Sequence, residues 1–180
     1  MKVLQPYYPV FRFVGIFALF YIVFSIAYYF FLDFEWSSQL YPDPVTAQIS
    51  YQTQELLQMI GYNASTLNSP VHPSVIMFID EQNIYRVIEG CNAVSVMILF
   101  TAFVVAFARG LKKTIGFLIL GIAFIYVVNL SRLVILGIIY KEYADYAHFS
   151  HEIIFPSIIY GAVVLLWLYW IRNVKPKEVA

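Results

Sequence analysis

The amino-acid sequence predicts an all-α polytopic membrane protein, and three observations carry that expectation. Of 180 residues, 61% are hydrophobic and only 12% are charged, with a mean hydropathy of +0.73. Soluble domains run nearer about 45–50% apolar and about 25% charged. Apolar runs of roughly 20 residues recur, the length that crosses a ~30 Å hydrocarbon core at 1.5 Å per residue. Lysines and arginines gather in alternate connecting segments. The formal charge is zero and the pI about 6.8, so the overall balance gives no reason to expect a nucleic-acid partner. Residues 1–180 are read as one membrane domain.

The first apolar run, 13–32, reads as a transmembrane helix. It is longer than a signal-peptide core, and no small-x-small cleavage site precedes Asp33, so it is expected to stay attached. From 33 to 90 the chain turns polar and acidic, with prolines at 42, 44, 70 and 73, and no apolar run reaches spanning length. Within this extramembrane segment, 45–62 places Ile49, Leu56, Leu57 and Ile60 at helical spacing among glutamines, which predicts an amphipathic helix on the membrane surface or over a site. Two β-prone runs, 74–79 and 84–88, flank Asp80-Glu81-Gln82-Asn83 and predict a hairpin with a four-residue turn. Further spans are expected at 92–108, 115–140 and 153–171. The third must tilt or project beyond the lipid. Pro156 falls near the start of the fourth, where a missing amide donor costs little. The polar loop before it carries His148 and His151.

Orientation follows from the positive charges. Lys2, Arg12, Arg109, Lys112, Lys113, Arg172, Lys175 and Lys177, eight of the eleven lysines and arginines, fall on one side of a four-helix arrangement. That side is expected to be cytoplasmic, with both termini inside. Segment 33–90 and the loop before 153 then face outward.

Three residue types meet at that outer level. Cys91, the single cysteine, opens the second span. Arg132 lies within the third, eight residues before Tyr140 and so about 12 Å below the outer end of the helix. His151 precedes the fourth. An ionised guanidinium at membrane depth costs roughly 3 kcal/mol or more and marks a site by default. Pairing with Glu89 or snorkelling to a headgroup is the plainer alternative. Asn129, one turn before Arg132, shares its helix face and can hold the guanidinium or glue helices together. His148 and His151 stand i, i+3, which raises a metal site with Cys91 as third ligand. Arg132 argues against it, because its charge repels a cation and stabilises a thiolate or oxyanion. No metal or cofactor is expected. The set suits nucleophilic acyl transfer: His151 takes the thiol proton, Arg132 lowers the thiol pKa and then supports the tetrahedral oxyanion, and a thioester forms.

Glu89-Gly90-Cys91-Asn92-Ala93, Asn129-Leu130-Ser131-Arg132 and His151 at the last helix resemble the exosortase/archaeosortase family of polytopic membrane cysteine enzymes. The resemblance spans about 85–168 and is nearest the short F-type subgroup. It implies Cys91 as nucleophile, Arg132 as transition-state stabiliser and His151 as general acid or base. The substrate it implies is the C-terminal sorting tail of an exported protein, handled at the outer face of a bacterial cytoplasmic membrane with membrane lipid as the surrounding partner. The glycine that usually follows the histidine is not evident here, which keeps His148 as a rival. The non-enzymatic alternative is a membrane scaffold or assembly subunit of an export system.

Overall fold

The computed structural model describes residues 7–34, 36, 42–108 and 110–173. Lys2, Arg109, Lys175 and Lys177, part of the charge pattern above, lie outside the described residues. Two packed bodies are stacked end to end along one long helix. One is a helical bundle and the other a small helix-on-sheet cap.

Helix α1 (Tyr8–Asp33) is predominantly apolar, with Arg12 near its start and Asp33 at its end, and has no buried residue. Its contact with the rest of the bundle is aromatic, with Phe13 against Phe103 and Phe107 at ring distances of 5.7 and 4.4 Å. Helix α2 (Pro44–Met59) starts where the sequence provides a cap. Asp43 Oδ1 accepts from the Val45 and Thr46 amides at 2.9 and 3.0 Å, and Pro44 occupies the first turn, where its missing donor is harmless. The predicted amphipathic helix therefore exists, but its buried face is Thr46, Ile49, Ser50, Thr53 and Leu57. Leu56 is half-buried, and Ile60 lies beyond the helix end and is exposed. Ser50 and Thr53 can be buried because their hydroxyls donate to the carbonyls one turn back, each at 2.7 Å.

Strands β1 (Ala64–Asn68), β2 (Val75–Ile79) and β3 (Gln82–Val87) form an antiparallel sheet in that order. The hairpin is as expected, but its turn holds two residues rather than four. Asp80 and Glu81 both have positive φ, +50° and +64°, the backbone twist that tight hairpins require. Strand β1 has no strong sequence pattern. The glutamines of α2 hold it: Gln58 Nε2 donates to the Ala64 carbonyl at 2.7 Å, and Thr66 Oγ1 donates to Gln54 Oε1 at 2.6 Å.

Helix α3 (Val94–Ala106) has 13 residues. At about 20 Å it falls short of a ~30 Å core, so the expected span at 92–108 is shortened. Asn92 and Ala93 are spent on the turn that precedes it. Helix α4 (Leu111–Glu142) has 32 residues, about 48 Å, and projects well past such a core. Helix α5 (Ala144–Phe149), a π-helical turn (Ser150–Ile154) and α6 (Phe155–Asn173) form one continuous helical run, so the fourth span begins earlier than 153. Phe155 donates to the carbonyl of Ser150, five residues back, just ahead of Pro156. The wider turn shifts the register where proline cannot supply its amide. Among the described residues, α1, α4 and the 144–173 run are long and apolar enough to cross a membrane.

One core lies where α2 and the sheet close over the far end of α4, around Ile49, Leu57, Met77, Ile79, Val87 and Leu133. The other lies inside the bundle, around Phe100, Val104, Ile125, Ile159, Val163 and Trp170. Gly121 is required there: a Cβ on it would stand 2.2 Å from Phe100 Cζ, inside the ring. Gly121→Ala is expected to cost about 1–3 kcal/mol as an overpacked core. A lower melting temperature of the detergent-solubilised protein, partly restored by adding Phe100→Leu, checks it.

Candidate active site

Cys91 does not open α3 directly. It closes a 3-10 turn (Glu89–Cys91), with its amide donating to the Ile88 carbonyl at 2.8 Å. Two residues later Ala93, buried, takes a left-handed backbone with φ +60°. A side chain there costs roughly 1–2 kcal/mol. The turn is held in place by Asn92, which is buried. Its Oδ1 accepts from the Val94 amide at 2.9 Å, and its Nδ2 donates to Tyr28 Oη at 2.8 Å and Thr46 Oγ1 at 3.0 Å. The Thr46 hydroxyl donates in turn to Asp43 Oδ2. One asparagine therefore ties the cysteine's turn to α1 and to the capped end of α2. Half-buried Glu89 has its carboxyl pKa raised, first by burial and then by the nearby Asp43 charge.

On the other side of Cys91 stands the polar face of α4. Asn129 is fully buried, and its Nδ2 donates to the Cys91 carbonyl at 2.8 Å. Its Oδ1 accepts from Arg132 Nη1 at 3.5 Å. Arg132 is partly buried, and its Nε–H has no acceptor among the described residues. An orphaned donor on a charged group is expensive to bury and is commonly explained by an absent ligand. Tyr85 on β3 completes this wall. Its hydroxyl donates to the Leu133 carbonyl at 3.0 Å, and its pKa is pushed far up by burial, raised further by Cys91 and opposed by Arg132. The phenol therefore sits within electrostatic reach of both residues and stays protonated.

Depth along α4 is clearer in the structure than in the sequence. Lys113 and Arg132 are 19 residues apart, ~28 Å along the axis, close to the thickness of a hydrocarbon core. Beyond Arg132, Leu133, Leu136 and Gly137 are buried, with Gly137 close against side chains of α2, β2 and β3. The arginine therefore lies at the junction of bundle and cap, with protein above it.

His148 and His151 lie on exposed surface. His148 Nε2 is 3.2 Å from Glu152 Oε2. Among the described residues no hydrogen bond or ion pair joins His151 to Cys91 or Arg132. The structure thus brings together Cys91, Asn129 and Arg132, and leaves both imidazoles outside that network. Glu89, a candidate partner for Arg132, forms no ion pair among the described residues. Sequence reasoning missed Asp43, Thr46, Tyr28 and Tyr85. Only Asn92, adjacent to Cys91, carried any sequence signal of its place.

A family model described as transmembrane exosortase matches residues 9–171, a stretch that contains every candidate residue. No curated protein and no solved structure matches the chain. With a match over nearly its whole length and helices long and apolar enough to cross a membrane, the chain is a membrane protein that belongs to the transmembrane exosortase family.

Proposed function

We propose that the chain is a cysteine peptidase or transpeptidase that cleaves or transfers the C-terminal sorting tail of exported proteins through a thioester on Cys91. The observation that carries this reading is the Asn129 bridge, which joins the Cys91 carbonyl to the Arg132 guanidinium and leaves Arg132 Nε–H without an acceptor among the described residues. His151 accepts the thiol proton. His148 is its rival, although it is already engaged by Glu152. Catalytic hydrogen bonds often tighten only when substrate binds, so an imidazole outside the resting network is compatible with the role. The thiolate attacks the scissile carbonyl, Arg132 stabilises the oxyanion, and the imidazolium protonates the departing amine. Water or an amine then attacks the thioester, releases the carboxyl product or the new amide, and returns the sulfur as a thiol.

The cap and Cys91 are assigned to the outer face of a bacterial cytoplasmic membrane, with the basic end of α4 and both termini in the cytoplasm. A membrane-impermeant maleimide applied to intact cells is expected to label Cys91 and to block processing together. Labelling that requires permeabilised cells would reverse the orientation. Labelling in intact cells without loss of processing would end the enzymatic assignment.

A further inference from the structure

At the end of α4 remote from Cys91, a groove of about 1300 Å³ opens between α4 and α6. Small-molecule pockets measure ~300–1,000 Å³, so this one suits a larger and more extended occupant. Its floor is apolar and aromatic, with Phe117 and Trp170 stacked at 4.6 Å. Trp170 is buried, and its indole N–H has no acceptor among the described residues. Gly116 leaves the wall open, since a Cβ there would meet nothing within 4 Å.

The mouth of the groove is electropositive in two independent ways. Lys112 and Lys113, both exposed, line it, and no carboxylate does among the described residues. It is also the N-terminus of a 32-residue helix whose N-cap, Gly110, provides no side-chain cap. The amides of Leu111, Lys112 and Lys113 have no acceptor among the described residues. A long helix that begins with free amides attracts an anion, and phosphate is a common choice. An anion at the mouth and an apolar slot behind it describe a single amphiphile.

We infer that this groove is a binding site for an anionic phospholipid, with its phosphodiester at the amides and lysines that begin α4 and an acyl chain running between α4 and α6. The site is independent of the catalytic reading, because none of the residues that line it belongs to the catalytic set and its anion-binding end at Lys113 lies ~28 Å along α4 from Arg132.

The test uses the full-length protein extracted in mild detergent and read by native mass spectrometry against added phosphatidylglycerol or phosphatidylcholine. One phosphatidylglycerol per chain is expected to be retained, favoured over phosphatidylcholine by about tenfold or more, as two lysines near a headgroup predict. The Lys112→Gln, Lys113→Gln pair should remove that preference. Gly116→Leu keeps both charges, improves helix propensity and fills the slot, so it should lower retention of both lipids. Glycerol phosphate, the headgroup without chains, should fail to displace the lipid. Equal retention of the two lipids, displacement by glycerol phosphate, or indifference to Gly116→Leu would each overturn the assignment. A lipid-free dimer broken by Gly116→Leu would give the groove to a second copy of the chain instead.

Discussion

Replacing Cys91 by alanine is expected to lower substrate processing by about 10⁵-fold or more, since removal of a nucleophile disables every step that follows it. The fold should survive the change. Asn129 and Ile88 hold the backbone carbonyl and amide of residue 91, not its sulfur, and the side chain is only partly buried. Unprocessed precursor should accumulate in cells while the variant protein stays at its normal level, and any hydroxylamine-sensitive adduct on the protein should vanish. The alternative of an assembly scaffold draws on the bare apolar faces of α1, which a partner helix could cover. A scaffold would tolerate the alanine. Normal processing by Cys91→Ala would therefore settle matters in its favour.

Arg132→Lys is expected to cost about 10²–10³-fold in turnover, the usual loss when one stabilising donor at a developing oxyanion is removed. Lysine keeps the positive charge but not the planar fork, which here uses one arm toward Asn129 and leaves Nε–H without an acceptor among the described residues. Arg132→Gln should lose more, because the charge goes as well. It should also slow alkylation of Cys91 at neutral pH, because the positive charge that favours a thiolate is gone. The two effects separate the proposed roles. If Arg132→Gln leaves the rate of alkylation unchanged but abolishes turnover, the guanidinium acts on the oxyanion alone. If both variants process substrate normally, Arg132 is a structural residue and the acyl-transfer assignment loses its electrophile.

The two ends of the chain's longest helix have different tasks, and the sequence pattern alone conceals this. Residues 115–140 read as one long span that must tilt or project. In the structure the part beyond Arg132 is roofed by the sheet and α2. That placement lessens the paradox of an arginine among apolar neighbours. Its guanidinium meets Asn129 Oδ1 at the rim of the bundle, and Asn129 in turn holds the Cys91 carbonyl.

The sequence by itself determined the class, the long apolar helices and the hairpin, and it singled out Cys91 and Arg132 as candidates. Those signals are local: the length of an apolar run, two β-prone runs around a polar turn, an isolated charge in a lipid-like context. Tertiary structure alone decided the short α3, the strand β1, the two-residue turn and the network that links Cys91 through Asn92 to Tyr28, Thr46 and Asp43. Each of these joins residues distant in the chain, and Asn92 lies 64 positions from Tyr28 and 46 from Thr46. A buried polar atom must find a partner but does not encode which one. Periodicity can announce that a face will be buried, and only the packed chain determines what is buried against it.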